Sequence, residues 1–437
     1  MPALKQIARS IFHQTLAAID IAAAIERKLV CQGTVLELGS SPIDLSSFSR
    51  FFVVAVGKAA HAMIAGLQQL LPPSFDIAGV VCAPVAPAHP VAGLRYFVGG
   101  HPTPNIESWR AAQAILALLS GADDRTLIFF LLSGGGSALV ELPLDPSQTL
   151  EDVQQLHRVL VTCGASIDEI NIVRKHLSAV KGGRLAAAAS AATKITLAVS
   201  DVPVGKESAL ASGPTLPDPT TVADFRRIVT AYGLSERFSP PLRRWLASGH
   251  PPETPKPGHP AFANAHFSLL LGVDDLFHPA HHAAEAHGFL ACCDNSTDDW
   301  AVERAAESLL AQLSELRKAH PRQRVALIAD GEVSSPVTGS GLGGRNSALV
   351  LACVEKIAGQ PIAVLSAGTD GMDGNSPGAG AVADGETVVR AKSGGLDPAV
   401  FFHNSDAYSF FAKLDDAIVT GPTGTNLRDL RILLADP

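Results

Sequence analysis

The sequence predicts an α/β protein of two domains, and three observations carry that expectation. Short apolar, β-rich runs alternate with segments of helical periodicity. The chain has 437 residues, more than a single hydrophobic core usually fills. Near its middle, PPETPKPGHP at 251–260 places five prolines in ten positions and interrupts the alternation.

Taken in order, FFVVAV at 51–56 is a buried strand that runs into Gly57, Lys58 and an alanine-rich helix. Residues 77–82 form a second strand, 107–119 a helix, 127–132 the next strand and 195–199 another. Strands separated by helices of this length imply a parallel sheet covered by helices on both faces. The proline stretch fits neither a helix interior nor a central strand. It is expected as a linker over 241–262, between a domain at 1–240 and another at 263–437. The rhythm then resumes, with strands at 267–271, 289–292, 325–329, 362–365 and 417–419 and a helix over 300–318. The expected picture is two α/β domains with a cleft between them.

Composition narrows the function. A content of 47% hydrophobic and 17% charged residues suits a well-buried enzyme, and a formal charge of -8 argues against a broad nucleic-acid surface. Local clusters of Lys and Arg still allow an anionic small ligand. The six cysteines show no ligand spacing and are expected as free thiols in a reducing compartment. The N-terminal stretch mixes charges with apolar residues, and no run is long enough to span a bilayer, so the expectation is a cytoplasmic protein with no membrane partner.

SGGGS at 133–137 follows the 127–132 strand directly. Glycines between a strand and a helix let phosphate oxygens approach bare backbone N–H groups, with Ser133 and Ser137 as added hydroxyl donors. A tight turn with no ligand is the alternative, but Gly134, Gly135 and Gly136 exceed what a turn alone needs. A Walker A loop fails, because Phe52 stands at the first glycine and Ala59 follows Lys58. A nucleophile elbow at Ser137 fails at Leu139. GSGLGG at 339–344 matches G-x-G-x-x-G literally, yet a polar loop separates it from the preceding strand, unlike a dinucleotide fingerprint.

In the C-terminal half, acids close strands: Asp330 and Glu332 after VALIA, Asp370 and Asp373 in SAGTDGMDG after PIAVL. Such acids are ordinary turn residues taken singly. Several of them ending neighbouring parallel strands would converge, and hard oxygen ligands there suit Mg²⁺ beside nucleotide phosphates. Cations cluster in NIVRKHLSAVKGGRLA at 171–186, where Arg174, Ser178 and Lys181 follow helical spacing. A solvated charged face is the default for such a helix; Lys175 and Lys181 are its candidates for meeting nucleotide phosphates. Lys58 and Arg345 lie in glycine-flanked loops beside apolar segments, where a cation would be aimed at a phosphoryl group or a carboxylate.

These residues resemble the type II glycerate kinases, whose C-terminal half is called the MOFRL domain. The resemblance rests on VAVGKAA (54–60), LLSGGGSAL (131–139), INIVRKHLSAVKGGRLA (170–186), SDVPVGKESALASGPT (200–215), DGEVSSPVTGSGLGGRNSALVLA (330–352), SAGTDGMDGNSPGAGA (366–381) and NSDAYSFF with TGPTGTNLRDL (404–430). It implies an N-terminal Rossmann-like domain, a distinct C-terminal α/β domain and an active site in the cleft. The implied reaction is ATP-dependent phosphorylation of D-glycerate at its 2-hydroxyl, with Mg²⁺, giving 2-phosphoglycerate and ADP. A homo-oligomer is compatible with it. One departure stands out: Lys206 and Glu207 occupy positions where the family commonly shows paired acids, which leaves Asp201 as the main acid of that loop. On this reading Lys58, Arg345 and Asp201 are catalytic, residues 133–137 with Lys175 and Lys181 hold the nucleotide, and Asp330, Glu332, Asp370 and Asp373 are the acids that hold the metal or accept the proton of the 2-hydroxyl. Members of the family have also carried the name hydroxypyruvate reductase, so an NAD(P)H-dependent reductase is the rival reading.

Overall fold

A computed structural model describes residues 3–39, 41–73, 75–202 and 205–437. The chain divides into two compact units, Ile21–Leu271 and a second made of Met1–Asp20 with Gly272–Pro437.

The Ile21–Leu271 unit begins with an antiparallel meander, β1 (Leu29–Gln32), β2 (Val35–Leu38) and β3 (Ser41–Asp44). Its main sheet has six parallel strands: β4 (Arg50–Val56), β5 (Ile77–Ala83), β6 (Leu94–Val98), β7 (Thr126–Ser133), β8 (Thr193–Val199) and β9 (Ala265–Leu271). β7 is buried at all eight positions, as a near-continuous apolar run must be in a sheet covered on both sides. Ile128, Phe130 and Leu132 share one core with Ala111, Ala112, Ile115 and Leu119 of the Ile106–Ser120 helix. The alternate residues point to the opposite face; there the Ala60–Leu70 helix packs on β4, β5 and β7.

The strand order is β6-β5-β4-β7-β8-β9, the Rossmann arrangement. Chain direction across the sheet reverses between β4 and β7, and open α/β sheets bind ligands at the carboxyl ends flanking that reversal. Register pairs Val56 with Leu132 and Ser133 with Val199, so three strands finish flush at that edge. Four further helices, Leu150–Val161, Ile167–Leu177, Val222–Ala231 and Pro240–Ala247, enclose a small core of their own. Three of them start at capping boxes, Thr149 with Asp152, Ser166 with Glu169 and Thr221 with Asp224.

The expected domain limits move. Residues 267–271 do not open a second domain; they belong to β9, the sixth strand of the first sheet. The proline stretch is not a linker between units, because Thr254 bonds Asp218 Oδ2 at 3.0 Å and Pro255 accepts the Asp218 N–H at 3.0 Å. Extended backbone that cannot join a ladder is here tied down by side chains. The Leu4–Ala18 helix moves the other way, burying Ile7, Ile11 and Phe12 and packing on the sheet of the second unit. An amphipathic pattern states that a helix has an apolar face, not which sheet receives it.

The second unit holds β10 (Phe289–Asp294), β11 (Arg324–Asp330), β12 (Ile362–Gly368), β13 (Gly380–Asp384), β14 (Ala417–Ile418) and β15 (Asp429–Ala435), in the order β10-β11-β15-β12-β13-β14. Only β10 and β11 pair in parallel. β11 and β12 run the same way but are not neighbours, since β15 lies antiparallel between them. The acids that end β11 and follow β12 therefore converge on the start of β15. This unit is α/β as expected, with a mixed sheet.

Candidate active site

In the Ile21–Leu271 unit, two turns meet at the reversal point. Gly57, at the end of β4, has φ 131°, and a Cβ there would lie 2.1 Å from Ser133 Oγ, so only glycine fits. The Lys58 N–H donates to Gly134 O at 3.0 Å and the Ala59 N–H to Ser133 Oγ at 3.0 Å, which joins the lysine turn to the glycine turn. Gly135 has φ 84°; a Cβ there would sit 3.2 Å from the His101 ring and 3.6 Å from Lys58 Cγ. Lys58 is half-buried, its stem laid along the glycine turn.

The helix expected after SGGGS is a single turn, Gly136–Leu139. It closes through bonds from Ala138 and Leu139 to Gly135 O and from Val140 to Gly136 O. Among the described residues no acceptor meets the N–H groups of Gly135, Gly136 and Ser137. Ser133 Oγ accepts the Ala59 N–H, and Ser137 Oγ is hydrogen-bonded to Ser212 Oγ at 2.7 Å. Ser212 donates on to Asn171 Oδ1 at 3.1 Å. Ala211 and Ser212, crossing over Gly136, have φ 50° and 60°, a strained conformation for residues with side chains and a frequent mark of functional segments. Asp201 follows β8 at the same sheet edge and is half-buried; the chain after it passes through residues 203–204, outside the described set.

Lys175 and Lys181 leave the group expected to meet phosphate. The helix ends at Leu177, so Arg174, Ser178 and Lys181 do not share a helical face. Nor is it a solvated face. Lys175 is buried and donates to Asp218 Oδ1 at 3.3 Å. Lys181, 1% exposed, is ion-paired with Glu141, which also accepts from Ser178 Oγ at 2.5 Å. Burial alone would raise the Glu141 carboxyl, but Lys181 and then His157 overcome it and hold it at about 2. Acids far away in sequence draw both cations inward, and helical spacing carries no sign of them.

In the second unit, Arg345 opens the Arg345–Val354 helix and lies between two carboxylates. Its Nε and Nη2 donate to Asp429 at 2.5 and 3.2 Å; its Nη1 and Nη2 meet Glu332 at 2.8 Å each. Burial would lower the guanidinium, yet Asp429 and then Glu332 raise it well above its usual value. Arg428 reaches Asp330 Oδ2 at 2.8 Å and also pairs with Asp298, while Arg431 donates to Asp330 O at 2.6 Å and to Gly331 O. Arg428 has φ 97° without being glycine, so backbone strain is stored within the cluster. Asp298, Arg428, Asp429 and Arg431 were not among the residues expected from the sequence, nor was His101 in the first unit. The one available signal was RDLR leading into ILLA, charges placed inside an apolar strand.

The four acids expected to bind metal separate. Asp373 does not fit: its oxygens accept the N–H groups of Asn346 and Ser347 at 2.9 Å and Ser347 Oγ at 2.6 Å, so it caps the Arg345–Val354 helix. Burial pushes its carboxyl up to about 6. Asp370 accepts the Met372 N–H at 2.9 Å within its own turn, and Glu332 meets Arg345. Asp330 is fully buried, its carboxyl raised by burial against the pull of Arg428, and its Oδ1 has no hydrogen-bond partner among the described residues. An oxygen of that kind fits a hard cation whose remaining ligands come from phosphates and water. Among the described residues no group of three or more His, Cys, Asp or Glu side chains is arranged around a metal position.

GSGLGG has a packing role. A Cβ at Gly339 or Gly341 would lie 2.4 Å from Asn404 or 2.3 Å from Asp406, and one at Gly344 would lie 2.3 Å from Asp373 Oδ1. With Asp373 capping the helix that follows, its N-terminus is closed to a pyrophosphate.

A doubly wound sheet with a lysine and a glycine turn at its reversal point, and in the same chain a mixed-sheet unit presenting an arginine cluster, together define a two-unit α/β protein equipped for small anions. Comparisons with known proteins make this specific. Residues 7–247 match the family model described as a domain of unknown function, DUF4147, and residues 325–429 match the MOFRL family. The chain is 35% identical to a D-glycerate 2-kinase of Thermotoga maritima, over 88% of this chain and 91% of that one. It is 34% identical to an Agrobacterium vitis protein provisionally named a hydroxypyruvate reductase, over 98% and 94%. The crystal structure of a Thermotoga maritima glycerate kinase superposes with a TM-score of 0.80 at 33% identity, covering 99% of each chain. The chain belongs to the MOFRL-containing glycerate kinase family.

No helix among the described residues is long and apolar enough to cross a membrane.

Proposed function

We propose that this chain transfers the terminal phosphoryl group of ATP to the 2-hydroxyl of D-glycerate, giving 2-phosphoglycerate and ADP. The observation that carries the reading is the Lys58 side chain lying along Gly135, in a turn whose N–H groups at Gly135, Gly136 and Ser137 meet no acceptor among the described residues. Phosphoryl transfer asks mainly for positioning and charge neutralisation, and backbone donors beside an ammonium supply both. In this mechanism the glycine turn holds the nucleotide phosphates and Lys58 stabilises the oxygens of the transferring group. Arg345 takes the glycerate carboxylate. As the 2-hydroxyl oxygen bonds to phosphorus and the bond to the ADP oxygen breaks, Asp201 accepts the hydroxyl proton. Mg²⁺ would neutralise charge on the nucleotide phosphates, with Asp330 Oδ1 the best-fitting protein ligand.

The test is ADP release from ATP, Mg²⁺ and D-glycerate, with the product assigned by coupling to enolase, which accepts the 2-phosphate and not the 3-phosphate. No glycerate-dependent ADP would end the reading. The reductase alternative draws support from the Agrobacterium name, whereas the glycines of GSGLGG pack on protein and not on open space. Oxidation of NADH by hydroxypyruvate would revive it. Six free thiols accord with the cytoplasm, where we place the enzyme.

A further inference from the structure

Arg345 is the cation assigned above to the organic acid, yet both edges of its guanidinium are occupied. The two occupants differ in kind. Asp429 sits at the start of β15 with its side chain 3% exposed, fixed within the sheet. Glu332 lies in a loop, its side chain 39% exposed, and places both oxygens on the outer edge at 2.8 Å. That is the two-point geometry a carboxylate ligand would adopt. The Glu332 backbone is held, its N–H on Asp298 Oδ1 at 2.8 Å and its carbonyl accepting the Asp299 N–H at 2.8 Å, so the loop does not depend on the Arg345 pair for its place.

We infer that Glu332 is a displaceable internal carboxylate occupying the organic-acid subsite of Arg345, and that it sets which ligands can enter. The inference rests on the assignment of Arg345 to the acid. Glu332 places its negative charge on the outer edge of the guanidinium, which opposes an approaching anion there until Glu332 leaves. A ligand with a planar pair of oxygens restores to Arg345 the two bonds it loses when Glu332 leaves. A neutral polyol such as glycerol restores neither charge nor geometry and leaves the arginine with one partner. Selectivity for the acid over its neutral analogue then comes from the latch itself as well as from the arginine.

The experiment uses the full chain, as wild type and as Glu332→Gln, which keeps shape and removes the charge. Calorimetric titrations with D-glycerate, glycerol and inorganic phosphate are combined with steady-state kinetics. The expected result is glycerate binding about threefold to fivefold tighter in the variant, the scale of a half-exposed ion pair no longer competing. The KM for glycerate falls, the KM for ATP stays, phosphate gains as glycerate does, and glycerol gains nothing. Glycerate binding unchanged or weakened in a variant that melts like wild type overturns the latch. Glu332→Asp, which keeps the charge on a shorter arm, is expected to fall between the two; if it binds glycerate more tightly than Glu332→Gln, charge competition is the wrong account. Tighter binding with no glycerate-dependent ADP in either protein would sink the kinase reading and leave the latch standing. Turnover with unchanged affinity would do the reverse.

Discussion

Lys58 and Glu141 show two different uses of charge within one unit. Lys58 is half-buried beside Gly135, and its ammonium is worth most where phosphate charge develops. Lys58→Ala is expected to lower kcat/KM on the order of a hundredfold or more, the range for loss of one transition-state donor, with little change in melting temperature. Near-normal turnover would remove it from the chemistry. Glu141 is structural, its carboxyl held at about 2 in a buried pair with Lys181. An acid with a depressed folded value adds stability above its ordinary value of 4.5 and loses it as pH falls towards 2. The stability gap between wild type and the double variant Glu141→Gln, Lys181→Met should therefore narrow between pH 5 and pH 2 in urea titrations. A gap independent of pH would show that the pair contributes nothing through ionisation.

At the scale of elements, the Arg345–Val354 helix depends on a cap that comes from another loop. Asp373→Ala strands the buried N–H groups of Asn346 and Ser347 and should cost about 1–3 kcal/mol in denaturant titration. Asp373→Asn, which keeps an acceptor, should cost less; equal stability for all three proteins would contradict the cap. The elements also show how far a sequence can be read. β4, β5 and β7 are built on apolar runs and β8 ends on one, LAV, and all four appear within a residue or two of their expected places. β15 is not legible as a strand, because Arg431 is buried inside it and its charge breaks the apolar pattern. β6 is a partly exposed edge strand, and β13, GAVAD, is short and built mostly of small residues. The site divides along the same line. Lys58 and the glycine turn are legible because glycine beside a strand end has a local physical meaning. Arg428, Asp298 and the partners of Lys175 and Lys181 are brought together by strand order alone.

For the whole molecule, strand order decides what meets. The reversal between β4 and β7 brings residue 58 to residue 135, and the insertion of β15 between β11 and β12 brings Asp429 to Arg345. The account depends on the first of these, a backbone-lined phosphate seat with one lysine beside it. Its most direct test is a crystal structure of the full chain with a non-hydrolysable ATP analogue. The account predicts phosphate oxygens within hydrogen-bond distance of the Gly135, Gly136 and Ser137 N–H groups and of Lys58 Nζ. An analogue bound elsewhere, with that turn facing only solvent, would contradict it.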